Sequence, residues 1–99
     1  MDINEFRESL RDTTPPEGLS AALQGLWWDA KGDWDKAHES AQKGKGPDGA
    51  WVHAYLHRKE GDLSNAKYWY QRADRAAADG DLEKEWEVIV GTLLRPRSQ

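Results

Sequence analysis

At 99 residues, with a net charge of −4 and no cysteine, the chain has room for one domain and excludes a disulfide framework or thiol chemistry. No basic block marks a nucleic-acid footprint, and no apolar run approaches the roughly 20 residues that span a bilayer. Six tryptophans among ten aromatic residues argue against disorder, since such rings supply large buried areas.

Helix signals recur along the chain and strand alternation is absent, so the expected fold is all-α, with five to six antiparallel helices in a single domain. The opening MDINEFRESL is acidic and amphipathic, unlike a secretory signal, and a cytoplasmic location without membrane attachment is expected. Residues 1–13 read as an N-terminal helix capped by Asp2, with Glu5 three residues on and Phe6 and Leu10 on its apolar face. The TPPEG run suggests a second helix capped by Thr14, with Pro15 at the first helical position and Glu17 completing a capping box. Leu19, Ala22, Leu23, Leu26 and Ala30 form its stripe. Gly32-Asp33 stops it, and Trp34, Ala37 and Ala41 line the third helix.

Residues 44–49, GKGPDG, form the longest expected break. A fourth helix from about Pro47 to Glu60 carries Trp51, His53, Tyr55 and His57. Gly61-Asp62 turns the chain into a fifth helix striped by Leu63, Ala66, Tyr70, Ala73 and Ala77. Gly80-Asp81 repeats the turn before a sixth helix with Leu82, Trp86, Ile89 and Leu93, closed by Pro96; residues 95–99 read as a tail. In each Gly-Asp pair the glycine accepts the left-handed conformation that ends a helix and the aspartate caps the next. Leu23, Leu26, Leu63, Ala66, Tyr70, Ala73, Trp86 and Ile89 are the expected core.

Two resemblances follow from these residues. Gly61, Ala66, Tyr70 and Ala73 fall at the Gly, Ala, aromatic and Ala positions of the second half of a tetratricopeptide repeat, and Gly32 and Ala37 match more weakly in an earlier unit. The chain therefore resembles a TPR-like array of helical hairpins. The stretch HAYLHRKEGDLSNAKYWYQRA, residues 53–73, resembles the signature of a family of small bacterial and fungal proteins. That signature reads His-x-Tyr-Leu-His-Arg-x-Glu-Gly-Asp, then Asn-Ala-x-Tyr-Trp-Tyr-x-Arg-Ala, and it implies no activity.

The candidate chemistry lies in this stretch. A TPR-like helix pair places its first helix along a concave groove. There Trp51, Tyr55 and Arg58 would offer a ring floor ending in a cation, suited to a peptide or a carboxylate. Tyr68 and Arg72 lie four apart and can face His57 or Arg58 across the hairpin. His53 and His57, also four apart, are candidate metal ligands, with His38, Glu60 or Asp62 as a third. The alternative for each is structural: rings in the core, and Arg58 paired with Glu60 or Asp62. Trp27 and Trp28 are adjacent, so one of them leaves the core stripe; exposed, it would mark an interface for a partner or a second copy. Serine-nucleophile, P-loop and dinucleotide patterns are absent, and no cofactor is implied. The expected function is a non-catalytic interaction module binding a peptide or protein partner through Trp51, Tyr55, His57, Arg58, Tyr68 and Arg72. The alternative is a small metal-binding protein or enzyme centred on His53, His57, Glu60 and Arg72.

Overall fold

The computed structural model describes residues 1–95 and is all-α, with no strand among them. Six helices follow one another: α1 (Ile3–Ser9), α2 (Ala21–Ala30), α3 (Trp34–Lys43), α4 (Gly46–Lys59), α5 (Leu63–Arg72) and α6 (Leu82–Leu94). No helix among the described residues is long and apolar enough to cross a membrane. The stop expected at Pro96 and most of the tail lie outside the described residues.

Two turns set the architecture. Gly32 and Gly61 have φ of +82° and +87°, where a side chain would be strained. The amides of Gly32 and Asp33 donate to the carbonyls of Asp29 and Trp28, and those of Gly61 and Asp62 donate to Arg58 and His57. These are paired Schellman endings. Each aspartate then accepts from the third amide of the following helix, Asp33 from Lys36 and Asp62 from Asn65. One residue closes a helix and the next opens another, so α2–α3 and α4–α5 form antiparallel hairpins.

Helix α4 is the centre: α2, α3, α5 and α6 all pack against it. Its residues Gly49 through Leu56 are buried without interruption, as expected of a helix enclosed on every side. Close approach depends on small residues. A Cβ on Gly49 would lie 2.2 Å from the Gly44 carbonyl oxygen, and one on Gly25 would meet the Ala37 oxygen and Val52 Cγ1 at 3.2 Å. Helix α1 is held by Phe6, fully buried with its ring centroid 5.8 Å from that of Trp86, and by the Trp27 indole, which donates to Ser9 Oγ at 3.0 Å.

Several expectations are corrected. Helix α2 starts at Ala21 with Ser20 as its cap, not at Thr14. Pro16 disfavours the helical conformation at Pro15, and Gly18 has φ +87°, which would break a helix continuing through it. The break at 44–49 shrinks to Gly44-Lys45, because Gly46 and Pro47 already begin α4. Helix α5 ends at Arg72 rather than running to Ala77: Asp74 takes φ +57°, and the Asp74 and Arg75 amides close a third Schellman ending. Gly80-Asp81 is therefore no hairpin turn. Residues 73–81 carry the chain away from α5, and α6 packs on α1, α2 and α4 instead. Leu63 is 66% exposed, because as the first residue of α5 it projects past the edge of the hairpin contact. Leu23, Leu26, Ala66, Tyr70, Ala73, Trp86 and Ile89 are buried.

Gly49→Ala is expected to destabilise the fold by about 1–3 kcal/mol through backbone overlap at the α3–α4 junction. Gly91→Ala, in α6 with nothing within 4 Å of its added Cβ, is expected to stabilise by about 0.4–1 kcal/mol. Urea unfolding of the two variants checks the contrast. Asp74→Gly should raise stability by up to about 1 kcal/mol, since glycine adopts that conformation freely; a lower melting temperature would contradict the assigned α5 ending.

Candidate functional site

The two faces of α4 have different surroundings. Trp51 and Tyr55 are buried and Arg58 nearly so, and they form no open floor. The Arg75 guanidinium lies 3.8 Å from the Trp51 ring centroid. The Tyr55 hydroxyl donates to Asp29 Oδ2 at 2.9 Å, and Lys59 Nζ donates to Asp29 Oδ1 at 2.8 Å. Arg58 donates to Glu85 Oε1 at 2.8 Å and to the Gly80 carbonyl. The groove expected over Trp51, Tyr55 and Arg58 is thus not formed as one floor, because α6 and residues 73–81 pack over these side chains. Arg58 pairs with Glu85, not with Glu60 or Asp62, because the chain after α5 folds back over this face.

The opposite face carries a stack of flat groups. The His53 ring lies 4.9 Å from that of His57 at 8°, and 4.1 Å from that of Trp69 at 15°. The Arg72 guanidinium carbon is 5.3 Å from the Trp69 centroid and 5.7 Å from that of Tyr68, whose hydroxyl accepts from Arg72 at 3.1 Å. Trp69 meets His53 rather than Leu56 or His57, a register set by the tight reversal at Gly61. Asn65 bonds to Asp62 Oδ2 at 2.8 Å instead of approaching Arg58, and these bonds hold the Asp62 carboxyl below its usual range.

From α3, His38 comes within 5.7 Å of the His57 ring at 77°, edge to face. His57 Nδ1 lies 2.7 Å from Glu60 Oε1. One ligand atom each from His38, His57 and Glu60 all lie within 4.8 Å of one another. The pairing of His53 with His57 as ligands is corrected. An imidazole lone pair lies in the ring plane, so two nearly parallel rings direct theirs side by side rather than toward one ion.

Beside the stack, a cleft of about 500 Å³ opens among α3, the start of α4 and α5. Its lining includes Gln42, Lys45, Pro47, His53, Trp69 and Arg72, and no carboxylate. Gln42 and Lys45 carried no periodic or motif signal, and only packing brings them opposite Trp69. A second cleft of about 490 Å³ contains Tyr55, Lys59 and Asp29, whose polar atoms are already bonded to one another. Trp27, Trp51 and Trp86 are buried and Trp28, Trp34 and Trp69 half-buried, so no tryptophan stands exposed for self-association. Lys36 Nζ covers Trp28, 4.3 Å from its centroid.

Family models, curated proteins and solved structures were all compared with the chain, and none matches. The roles of these residues rest on geometry.

His53 has its pKa lowered to about 4, first by burial and then by repulsion from His57 and His38, with Glu60 opposing. The folded chain therefore takes up the His53 proton less readily than the unfolded chain. Between about pH 6.5 and pH 4 the unfolded state binds more protons, so stability falls as pH falls through that window. This group alone should contribute a loss on the order of 2–3 kcal/mol. His53→Phe keeps a flat ring against Trp69 and should lack that part of the slope. Urea unfolding across the window, in chelator, checks it; equal slopes for the variant and the parent chain would refute the assignment.

Proposed function

We propose that the protein is a non-catalytic binding module that takes a carboxylate-bearing peptide segment of a partner protein in the cleft formed by α3, α4 and α5. The observation that carries this reading is the lining itself: Lys45 and Arg72 with no carboxylate, in a chain holding 18 acidic and 14 basic residues. Charge complementarity then selects an acidic partner. Arg72 is exposed and backed by Trp69, which is itself stacked on His53, so its guanidinium is held ready at little entropic cost. Trp69 and Pro47 supply apolar surface beside the cations, the mixture that binds a peptide rather than a bare ion. Of the residues expected from the sequence, the reading keeps Arg72 as the binding cation, with Tyr68 beside it and His53 in the cleft wall. Trp51, Tyr55 and Arg58 serve as framework.

The test is fluorescence anisotropy with a labelled Glu-rich peptide and its Gln-substituted counterpart. The Glu peptide should bind more tightly, and more weakly as salt rises. Arg72→Ala and Lys45→Ala should each cost about tenfold in affinity, while Lys67→Ala, exposed on the same helix, should change little. Equal binding of the two peptides, or an Arg72→Ala variant that binds normally, would overturn the reading.

A further inference from the structure

We propose that His38, His57 and Glu60 form a binding site for one divalent transition-metal ion of the zinc class, separate from the peptide cleft and independent of that reading. The three ligand atoms come from α3, the last turn of α4 and the α4 cap, and lie within 4.8 Å of one another. Zinc bonds to nitrogen and oxygen are about 2.0–2.2 Å, which places neighbouring ligands of a tetrahedral ion about 3.3 Å apart. The required contraction is of the order of 1 Å, and the Glu60 side chain is exposed and able to supply it by rotation.

The imidazoles are oriented for the task. His38 Nδ1 faces the Trp34 carbonyl oxygen at 3.4 Å, and an oxygen of that kind only accepts. A proton on Nδ1 would make this contact a hydrogen bond and leave the lone pair on Nε2, the arrangement that outer contacts commonly impose on metal-binding histidines. The Trp34 ring packs on His38 at 4.3 Å and limits its motion. His57 Nδ1 and the Glu60 carboxylate already lie 2.7 Å apart, and the ion would take the place of the proton between them. The His38 and His57 rings cross at 77°, so their in-plane lone pairs lie in different planes, whereas those of the parallel His53 and His57 rings do not.

The donor set also selects the ion. Two neutral nitrogens and one carboxylate favour zinc, cobalt or nickel over magnesium or calcium, which prefer oxygen. Three protein ligands leave a position for water or for a ligand atom from outside. The bound ion would tie α3 to the end of α4, joining the two hairpins.

The experiment is isothermal titration of chelator-stripped, untagged protein with Zn²⁺, with thermal melts alongside. One ion per chain is expected, with a melting temperature that rises with metal. His38→Ala and Glu60→Gln should each weaken binding at least tenfold, and His53→Phe should leave it within a few-fold. If His57→Ala fails to fold, Glu60→Gln, at an exposed side chain, and His38→Ala, at a half-buried one, still decide the matter. Absence of one-to-one uptake, or uptake indifferent to His38→Ala, would overturn the site. Binding of the Glu-rich peptide to His38→Ala should be unchanged, which keeps the two proposals distinguishable.

Discussion

The enclosure of α4 is the constraint from which the rest of the structure follows. A helix buried on every side cannot leave polar atoms unpaired, because each such atom loses water without replacement. Among the described residues, no deeply buried side-chain nitrogen or oxygen lacks a partner. Two buried carboxylates, Asp29 on α2 and Glu85 on α6, are met by donors from α4 itself: Tyr55 and Lys59 reach Asp29, and Arg58 reaches Glu85. Tyr70 of α5 also donates to Glu85. Burial and the adjacent carboxylates push both phenols above their ordinary pKa, so they remain donors over the whole physiological range. The helix is thereby fixed to α2 on one side and to α6 on the other.

That fixation divides the aromatic and cationic groups of residues 53–73 into two sets. The set facing α2 and α6 is consumed by structure, its polar atoms paired with Asp29, Glu85 and the Gly80 carbonyl. The set facing α3 and α5 is left in layers: guanidinium, indole, imidazole, imidazole. Layering keeps the inner ring neutral, since a charge on His53 would sit in a desolvated place beside two other histidines. A neutral, rigid stack is a suitable backing for the exposed Arg72 at one end and for the His38–His57–Glu60 cluster at the other. The peptide cleft and the metal site proposed above would then sit toward the two ends of this stack.

Some of this was legible in the sequence. The Gly32-Asp33 and Gly61-Asp62 turns, the Asp2–Glu5 capping box and the alanines at helix contacts depend on residues within a few positions of one another, so local pattern sufficed. The third turn was misread because a left-handed residue is usually glycine, and here it is Asp74. The start of α2 was misread because a good capping box at Thr14 competes with the backbone demands of Pro16 and Gly18, and the backbone prevails.

For the candidate site, the sequence by itself determined the chemistry: which side chains carry protons, charges and rings, and that His53 and His57 share a helix face. Only the tertiary structure decided which of them meet. The i,i+4 spacing fixes neighbours along one helix, whereas the approach of His38 to His57, of Trp69 to His53 and of Arg58 to Glu85 depends on the register and rotation between helices. Those are set by close contacts such as Gly49 against Gly44 and by the path of residues 73–81, summed over the whole core rather than written in any one segment.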